Sequence, residues 1–308
     1  MTKNRTIKDW VIATRPWALP ASVTPIIAIT AYLFYLSRQA PETLCDAATT
    51  ADWLNALLSL LLLTLLHSGG NLVSDYYDHT SGVDKPSAVN GVTWIYDGTF
   101  QPKEILHFGY ALISVAAAIG VVLLLRSSLD ALWLGAAALV IALGYSWSKG
   151  HAVSDLWVLL GFALLPAVGV SYVVSGAWHW ETMLLSLSYG LLTVAILHSN
   201  NTRDIESDSE AGLTTMAAFV GRRASQCIYL AEMVLPYVLA VAYFALGIAP
   251  AWVFLVMLTL PLAIKNAMAM LPPDGSEPQI RMLDQRSAQL QMAFGLLLTL
   301  SFIIGAYV

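Results

Sequence analysis

The sequence from His198 to Glu210 concentrates polar chemistry directly after about fifteen almost entirely apolar residues. Three of its oxygen-bearing side chains are spaced i, i+4, i+8 and lie along one face if the helix continues; we term them the second ladder: Asn200, Asp204 and Asp208. Only 11% of the chain is charged, so such clustering indicates a shared role for these side chains. An acidic ladder at the end of an apolar helix predicts a divalent-cation site.

A weaker echo of this pattern occurs earlier in the chain. After another apolar run, the side chains of the first ladder are spaced i, i+4, i+7, again on one helical face: Asn71, Asp75 and Asp78. Facing carboxylates repel each other unless cations lie between them. Mg²⁺ takes oxygen ligands and typically bridges one or two carboxylates to substrate phosphates. The two ladders therefore predict Mg²⁺ held by four aspartates, Asp75, Asp78, Asp204 and Asp208, with a diphosphate as the third party.

Nearby cations supply the remaining charge that a diphosphate requires. Lys85, Lys149 and Arg203 are candidates to neutralise it, and arginine is suited to bidentate phosphate contact. An apolar bundle beside such a site would hold a long hydrocarbon tail. The pattern indicates a polyprenyl diphosphate bound at a membrane interface.

The composition of the chain is typical of a protein embedded in a lipid bilayer. The chain has 308 residues, of which 57% are hydrophobic, and its mean hydropathy is +0.67. Apolar runs such as 53–70 and 105–125 have about the length that a bilayer core requires. The formal net charge of −5 gives no reason to expect a nucleic-acid partner. We therefore predict an all-α polytopic membrane protein.

Hydropathy divides the chain into nine candidate spans, which predicts a bundle of about nine transmembrane helices in a single domain, 1–308, with a leader at 1–15. The spans are 16–37, 54–76, 105–125, 130–147, 155–176, 182–200, 225–246, 250–271 and 286–307. If the N-terminus lies inside, only Arg38 and Arg126 among the lysines and arginines fall outside. Both ladders then lie at inner helix ends, next to long polar loops at 77–104 and 201–224. We expect a cell inner membrane with a cytoplasmic N-terminus and cytoplasmic site loops.

Three other polar residues lie within the predicted spans or at their ends. His67 and His198 are expected to be satisfied polar residues of the core rather than catalytic groups. Glu232 needs a partner if it is buried, and the sequence does not identify one. Glu206 and Glu210 lie off the second ladder and are expected to face solvent.

At these motifs the chain resembles the UbiA superfamily of intramembrane prenyltransferases, and within it the menaquinone branch. The first motif of that branch is matched by Asn71, Asp75, Tyr76, Asp78, Gly82 and Asp84. The second motif, Asn-Asn-x-Arg-Asp-x3-Asp, is matched by Asn200, Asn201, Arg203, Asp204 and Asp208. Arg15-Pro16 followed by Leu19-Pro20 resembles the start of the family's first span. The resemblance covers essentially the whole chain.

The resemblance implies Mg²⁺-dependent transfer of a polyprenyl chain from its diphosphate to 1,4-dihydroxy-2-naphthoate, with loss of carbon dioxide. It implies metal ligation by the four ladder aspartates, with Asn71 and Asn200 completing the metal or phosphate shell. Lys85, Lys149, Arg203 and Asn201 would then contact the diphosphate. Tyr145 would stabilise an allylic cation through the face of its ring.

One segment departs from the menaquinone pattern, and it leaves the acceptor open. The loop expected at 145–150, Tyr-Ser-Trp-Ser-Lys-Gly, shares only its tyrosine and general position with that branch. Another aromatic acceptor, such as a hydroxybenzoate or homogentisate, is the alternative within the same fold. A cation-coupled transporter is the alternative outside it, although transporter sites tend to lie at mid-bilayer rather than at helix ends. Oligomeric state and prenyl chain length are not predicted.

Overall fold

A computed structural model of the protein describes residues 5–45, 50–80, 93–210, 212–271 and 278–308. Every regular element in these ranges is a helix, which confirms the predicted all-α class. The long helices, numbered α1 to α9, are Pro20–Gln39, Trp53–Thr80, Pro102–Arg126, Leu132–Lys149, Ser154–Ser175, Glu181–Arg203, Arg222–Ala245, Ala251–Met270 and Leu283–Gly305. Each corresponds to one predicted span, with ends that differ by about one helical turn or less.

Eight of these helices, within the described ranges, are long and apolar enough to cross a membrane. The remaining helix, α4, is not among the eight, because the apolar helical stretch in this region, Leu129–Ala142, is shorter than theirs. The prediction of a polytopic helical membrane protein is therefore confirmed. The segment 145–150, expected to be a loop, is helical as far as Lys149, because no helix breaker occurs before Gly150.

Polar contacts gather the helix ends at two opposite faces of the bundle. We term the face where α2 and α6 end the ladder end. Three contacts there join separate parts of the chain: Arg15 with Asp75, Thr214 with Gly150, and Arg203 with the carbonyl of Arg281. At the far end, Arg126 donates to Asp52 at 2.6 Å and to Asn55 at 2.8 Å. Both ladders therefore lie at one end of the bundle, as the alternation of spans predicts.

The expected polar loop at 201–224 is largely helical. Two short helices, Ile205–Glu210 and Met216–Val220, occupy it, and the hydroxyl of Thr215 caps the second by accepting from Ala218 N at 3.3 Å. In the other expected loop, 77–104, the first four residues extend α2 and Thr93–Tyr96 forms one turn. Polar residues at these ends continue helical structure because they supply caps and salt bridges rather than breaking it.

Two of the long helices change their winding along their length. In α5, a π-helical turn at Leu160–Leu164 precedes Pro166, whose ring and missing N–H disturb the regular hydrogen-bond ladder. In α8, the first nine residues, Ala251–Thr259, form a 3₁₀ helix, and the α-helical part begins at Leu260 next to Pro261. The prolines therefore account for where each change of winding occurs.

Helix α2 carries the first ladder and is held closely against α3. Gly69 and Gly109 allow this approach: a Cβ on Gly69 would lie 2.7 Å from Cγ1 of Ile113 and 2.8 Å from the carbonyl oxygen of Gly109. Small residues permit such backbone contacts in membranes, where packing rather than the hydrophobic effect drives association.

This contact predicts a stability difference between two adjacent glycines. Gly69→Ala should destabilise the protein by about 1–3 kcal/mol, because the added methyl group overpacks the interface between α2 and α3. Gly70→Ala is the matched control, since a Cβ there meets nothing within 4 Å. Thermal unfolding in detergent measures both. Equal unfolding temperatures for the two variants would contradict the close contact.

Candidate functional site

The second ladder keeps its helical spacing across the end of α6. The amide of Asp204 donates to the carbonyl of Asn200 at 2.9 Å, and the amide of Asp208 donates to that of Asp204 at 2.8 Å. The helix axis breaks only at Asp204, after which Ile205–Glu210 begins. The prediction of the second ladder assumes that the helix continues past Asn200. The i to i+4 hydrogen bonds do continue, although they belong to two successive helices rather than to one.

The aspartates of this ladder are crowded by charge. Arg203 donates to both carboxylate oxygens of Asp204, at 2.7 and 2.6 Å. Burial raises the pKa of Asp208 to about 6, the neighbouring charge of Asp204 adds to this rise, and Arg203 opposes it. A cation placed between the two carboxylates would relieve both the burial cost and the repulsion.

The first ladder lies within α2 rather than at its frayed end. The structure extends this helix to Thr80, so Asp75 and Asp78 both belong to it. The side chain of Asp75 is fully buried and accepts a hydrogen bond from the guanidinium of Arg15. The hydroxyl of Ser74 donates to Asp78 at 3.0 Å. The ladder therefore holds its carboxylates at the protein surface and one turn below it.

Arg15 is a site residue that sequence reasoning did not select. It is the one residue other than glycine with positive φ in the described ranges, at 55°. Such a conformation is uncommon and is often kept where it serves a site. The preceding helix, Ile7–Ala13, is held by Trp10, whose ring centroid lies 4.5 Å from that of Phe100. Aromatic packing thus brings this guanidinium to Asp75, and only the Arg-Pro pattern in the sequence pointed to it.

The first residues of the two ladders share a feature. Nδ2 of Asn71 and Oδ1 of Asn200 are buried and have no hydrogen-bond partner among the described residues. Buried polar atoms are normally hydrogen-bonded, so each such atom needs an explanation. An amide donor suits a phosphate oxygen, and an amide oxygen suits a hard cation. Both atoms fit a diphosphate with Mg²⁺.

Some of the predicted diphosphate contacts cannot be compared with the structure. Lys85 lies outside the described residues, as do Gly82 and Asp84. The backbones of Tyr145 and Lys149 lie in α4, at the ladder end, but their side chains are not described. Of the predicted cations, Arg203 is therefore the one placed beside a ladder.

Asn201 points away from the ladder face and into the bundle. Its side chain is buried, and Nδ2 donates to Oδ1 of Asp155, on α5, at 3.4 Å. The other oxygen of Asp155 lies 2.5 Å from Nδ1 of His198, and Glu232 approaches the same ring. His198 is thus a satisfied polar residue, as expected, and it is the partner of Glu232 that the sequence did not identify. Asp155 was missed, although a lone acid at the start of an apolar span was its signal.

The other expectations for polar residues agree with the structure. His67 pairs through Nδ1 with the hydroxyl of Ser22 at 2.8 Å. Glu206 and Glu210 are exposed, and Glu206 accepts from Arg222 at 3.0 Å. None of these three side chains contacts a ladder through a hydrogen bond in the described part of the chain.

Comparison with known proteins gives consistent similarities in sequence. The model of the UbiA prenyltransferase family matches residues 43–295. The UbiA prenyltransferase domain-containing protein 1 homolog of Drosophila melanogaster is 31% identical over 301 residues, which cover 94% of this chain and 78% of that protein. The UbiA prenyltransferase domain-containing protein 1 of Homo sapiens is 29% identical over 311 residues, which cover 96% of this chain and 84% of the human protein.

Solved structures share the same fold. The apo structure of a UbiA homolog from Aeropyrum pernix K1 has a TM-score of 0.65 at 19% identity, covering 91% of this chain and 97% of that one. The structure of a UbiA homolog from Archaeoglobus fulgidus bound to DMAPP and Mg²⁺ has a TM-score of 0.59 at 16% identity, covering 93% and 97%. These likenesses support the helical arrangement described above.

The pairing of Arg15 with Asp75 predicts a stability effect that depends on charge. Arg15→Gln should lower the free energy of unfolding by about 2 kcal/mol or more, because the buried carboxylate loses its guanidinium. Adding Mg²⁺ should recover part of the loss, since a dication replaces the missing positive charge. Thermal unfolding with and without Mg²⁺ measures both effects.

Arg5→Gln is the control, because the pair between Arg5 and Glu104 is partly exposed and such pairs contribute little. The double variant Arg15→Gln with Asp75→Asn should be more stable than Arg15→Gln alone, because the amide carries no charge to bury. The charge explanation would be contradicted if the loss of unfolding free energy in the double variant equalled the sum of the losses in the two single variants.

Proposed function

Because this chain belongs to the UbiA prenyltransferase family, we propose that it transfers a polyprenyl group from a polyprenyl diphosphate to 1,4-dihydroxy-2-naphthoate, with release of diphosphate and carbon dioxide, in menaquinone biosynthesis. The observation that carries the proposal is the pair of ladders at one end of the bundle, each beginning with a buried asparagine amide atom that has no hydrogen-bond partner among the described residues. Family membership as a transferase sets the transporter alternative aside.

Mg²⁺ is the proposed metal, and the ladder residues fit it. Asp75, Asp78, Asp204 and Asp208 offer carboxylate oxygens, and Oδ1 of Asn200 offers a further hard ligand. The structures of the Archaeoglobus fulgidus homolog, described as bound to DMAPP or GPP with Mg²⁺, support this choice. When bound, Mg²⁺ acts as a Lewis acid on the diphosphate and stabilises it as the leaving group.

The bound diphosphate is proposed to accept hydrogen bonds from the arginines that are paired with the ladder aspartates in its absence. Arg15 and Arg203 each donate to a ladder aspartate, and a bound metal ion would leave both guanidinium groups available to phosphate oxygens. Lys85 and Lys149 are the further proposed contacts, taken from the sequence motifs, whereas the side chain of Asn201 donates to Asp155 instead. Each ladder would thus use one arginine as a counter-charge before the substrate binds and as a phosphate ligand afterwards.

The proposed reaction proceeds by ionisation of the donor. The bond between the prenyl carbon and the diphosphate oxygen breaks, and the diphosphate keeps the electron pair. Electrons of the naphthoate ring form the new carbon–carbon bond, and the carboxylate leaves as carbon dioxide, returning its electron pair to the ring. Tyr145 is proposed to stabilise the allylic cation, and the apolar bundle would keep water from reaching it.

The ladder end is proposed to face the cytoplasm, in a cell inner membrane, with residues 1–308 acting as one prenyltransferase domain. The distribution of lysine and arginine supports this orientation, because Arg38 and Arg126 are the exceptions and Arg126 lies at the far end. The polyprenyl tail would extend from the ladder end into the apolar part of the bundle or the surrounding lipid.

Exchanging one ladder aspartate should remove turnover without removing the fold. Asp75→Asn or Asp204→Asn should each lower kcat roughly a hundredfold or more, since each removes a proposed metal ligand and its transition-state stabilisation. Asp130→Asn is the matched control, because Asp130 is exposed at the far end between α3 and α4. Near-normal turnover in either ladder variant would remove that aspartate from the metal shell.

The acceptor is tested directly by product analysis. Purified protein, Mg²⁺ and a polyprenyl diphosphate are incubated separately with 1,4-dihydroxy-2-naphthoate, 4-hydroxybenzoate and homogentisate, and products are identified by mass spectrometry. We expect a prenylated, decarboxylated naphthalenediol from the first acceptor. Product from another acceptor alone would keep the fold and the donor but replace the proposed substrate.

A further inference from the structure

A buried cluster beside the second ladder has no part in the proposed chemistry. It joins three helices through Asp155 at the start of α5, His198 near the end of α6 and Glu232 within α7. Their nearest ligand atoms all lie within 4.8 Å of one another, and all three side chains are buried. Burying ionisable groups in an apolar bundle is costly, so the cluster requires an explanation.

The hydrogen bonds around His198 determine where its protons lie. The hydroxyl of Thr202 donates to the backbone carbonyl of His198 at 2.7 Å, so its oxygen accepts from the hydroxyl of Ser225 at 2.5 Å. The Ser225 oxygen, 2.9 Å from Nε2 of the ring, is then left as an acceptor. Nε2 must therefore carry a proton, which it also directs toward the Ser225 carbonyl at 3.1 Å.

The other ring nitrogen faces acid groups. Nδ1 lies 2.5 Å from Oδ2 of Asp155, and Oε1 of Glu232 is more distant at 3.7 Å. Asp155 is therefore the hydrogen-bond partner of Nδ1, while Ser225 holds Nε2 on the opposite side of the ring. Oε2 of Glu232 is buried without a hydrogen-bond partner among the described residues. The two carboxylates therefore have unequal roles.

Asp155 also reaches the chain segment that carries the second ladder. Its Oδ1 accepts from Nδ2 of Asn201, so one carboxylate holds two residues of the last turns of α6. On the other side, Arg222 at the start of α7 donates to the carbonyl of Thr202 at 3.1 Å. The end of α6 is thus fixed in rotation between α5 and α7.

We propose that Asp155 is a positioning residue for the prenyl diphosphate site. Through His198 and Asn201 it sets the rotation of the last turn of α6, and this rotation directs Asn200 and Asp204 toward the first ladder. The inference rests on the proposed function, because the positioned residues are those assigned to the metal and the diphosphate. Glu232 shares the burial of Asp155 but approaches His198 only at 3.7 Å, and among the described residues it has no hydrogen bond to Asn201 or to the ladder residues of α6.

A metal ion bound by the cluster itself would give the three residues equal roles. The geometry argues against it, because two ligands of a tetrahedral ion lie about 3.3 Å apart when each bond is about 2.0–2.1 Å. Nδ1 and Oδ2 are closer than that, at 2.5 Å, which is the distance of a direct hydrogen bond.

The test compares Asp155→Asn with Glu232→Gln, two changes of a buried carboxylate to an amide in the same cluster. With a saturating acceptor, Asp155→Asn should raise the KM for the polyprenyl diphosphate about tenfold, while the KM for the acceptor stays unchanged. Glu232→Gln should change the donor KM less than about threefold. Equal effects in the two variants would overturn the proposal, since a purely structural role of burial predicts them.

Coupling between Asp155 and Asn201 provides the second measurement. Because Asp155 acts partly through Asn201, Asp155→Asn should raise the donor KM by a smaller factor in Asn201→Ala protein than in wild-type protein. Additive increases would overturn the proposal. If Asp155→Asn does not fold, Asp155→Glu keeps the counter-charge but shifts the oxygens by one methylene, and it should raise the donor KM likewise.

Two further readings separate this inference from the proposed function. Calorimetric binding of the prenyl diphosphate with Mg²⁺ reports on donor binding without any acceptor. If wild-type protein binds the donor but gives no prenylated product, only the proposed acceptor is wrong. If Asp155→Asn binds the donor as tightly as wild type, only the positioning role of Asp155 is wrong. A stoichiometric transition metal in Asp75→Asn/Asp204→Asn protein, lost on His198→Asn, would also overturn the positioning role.

Discussion

A carboxylate at the end of an apolar helix needs a counter-charge, because lipid offers none and water reaches it poorly. This constraint organises the ladder end of the bundle. Asp75 is paired with Arg15, Asp204 with Arg203, and Asp155 with the ring of His198. Each pair also joins two parts of the chain or fixes a helix end. Charge neutralisation and helix placement are thus achieved by the same contacts.

The pairs differ in what a substrate could do to them. The pairs of Asp75 and Asp204 involve guanidinium groups that are partly exposed, so a cation can replace each arginine and a phosphate can replace each aspartate. The pair of Asp155 and His198 is closed off, with the ring held on its other side by Ser225. Ion pairs whose partners can be replaced are suited to substrate binding. The buried pair of Asp155 and His198 is suited to holding the end of α6 in place.

Much of this arrangement could be predicted from the sequence, because long apolar spans and helical spacing leave few alternatives. The spacing of Asn200, Asp204 and Asp208 predicted a ladder, and span alternation placed it at the same end as Asp75. The role of Arg15 could not be predicted in the same way, since it depends on a left-handed residue and on Trp10 packing against Phe100. The pairing of Asp155 with His198 joins residues 43 positions apart, and only tertiary contact reveals it. The segment 145–150, expected to be a loop in the comparison with the menaquinone branch, is helical as far as Lys149, because no helix breaker occurs before Gly150.

The 3₁₀ segment of α8 has a consequence for how the protein fits its membrane. A residue in a 3₁₀ helix advances about 2.0 Å along the axis, against about 1.5 Å in an α-helix. The nine residues of Ala251–Thr259 therefore lengthen α8 by about 4 Å relative to a uniform α-helix of the same 20 residues. An α-helix of that length would just match a hydrocarbon core of about 30 Å, whereas α8 exceeds it. The 3₁₀ winding therefore lets the 20 residues of α8 span a hydrocarbon core a few ångström thicker than a uniform α-helix of the same residues would span.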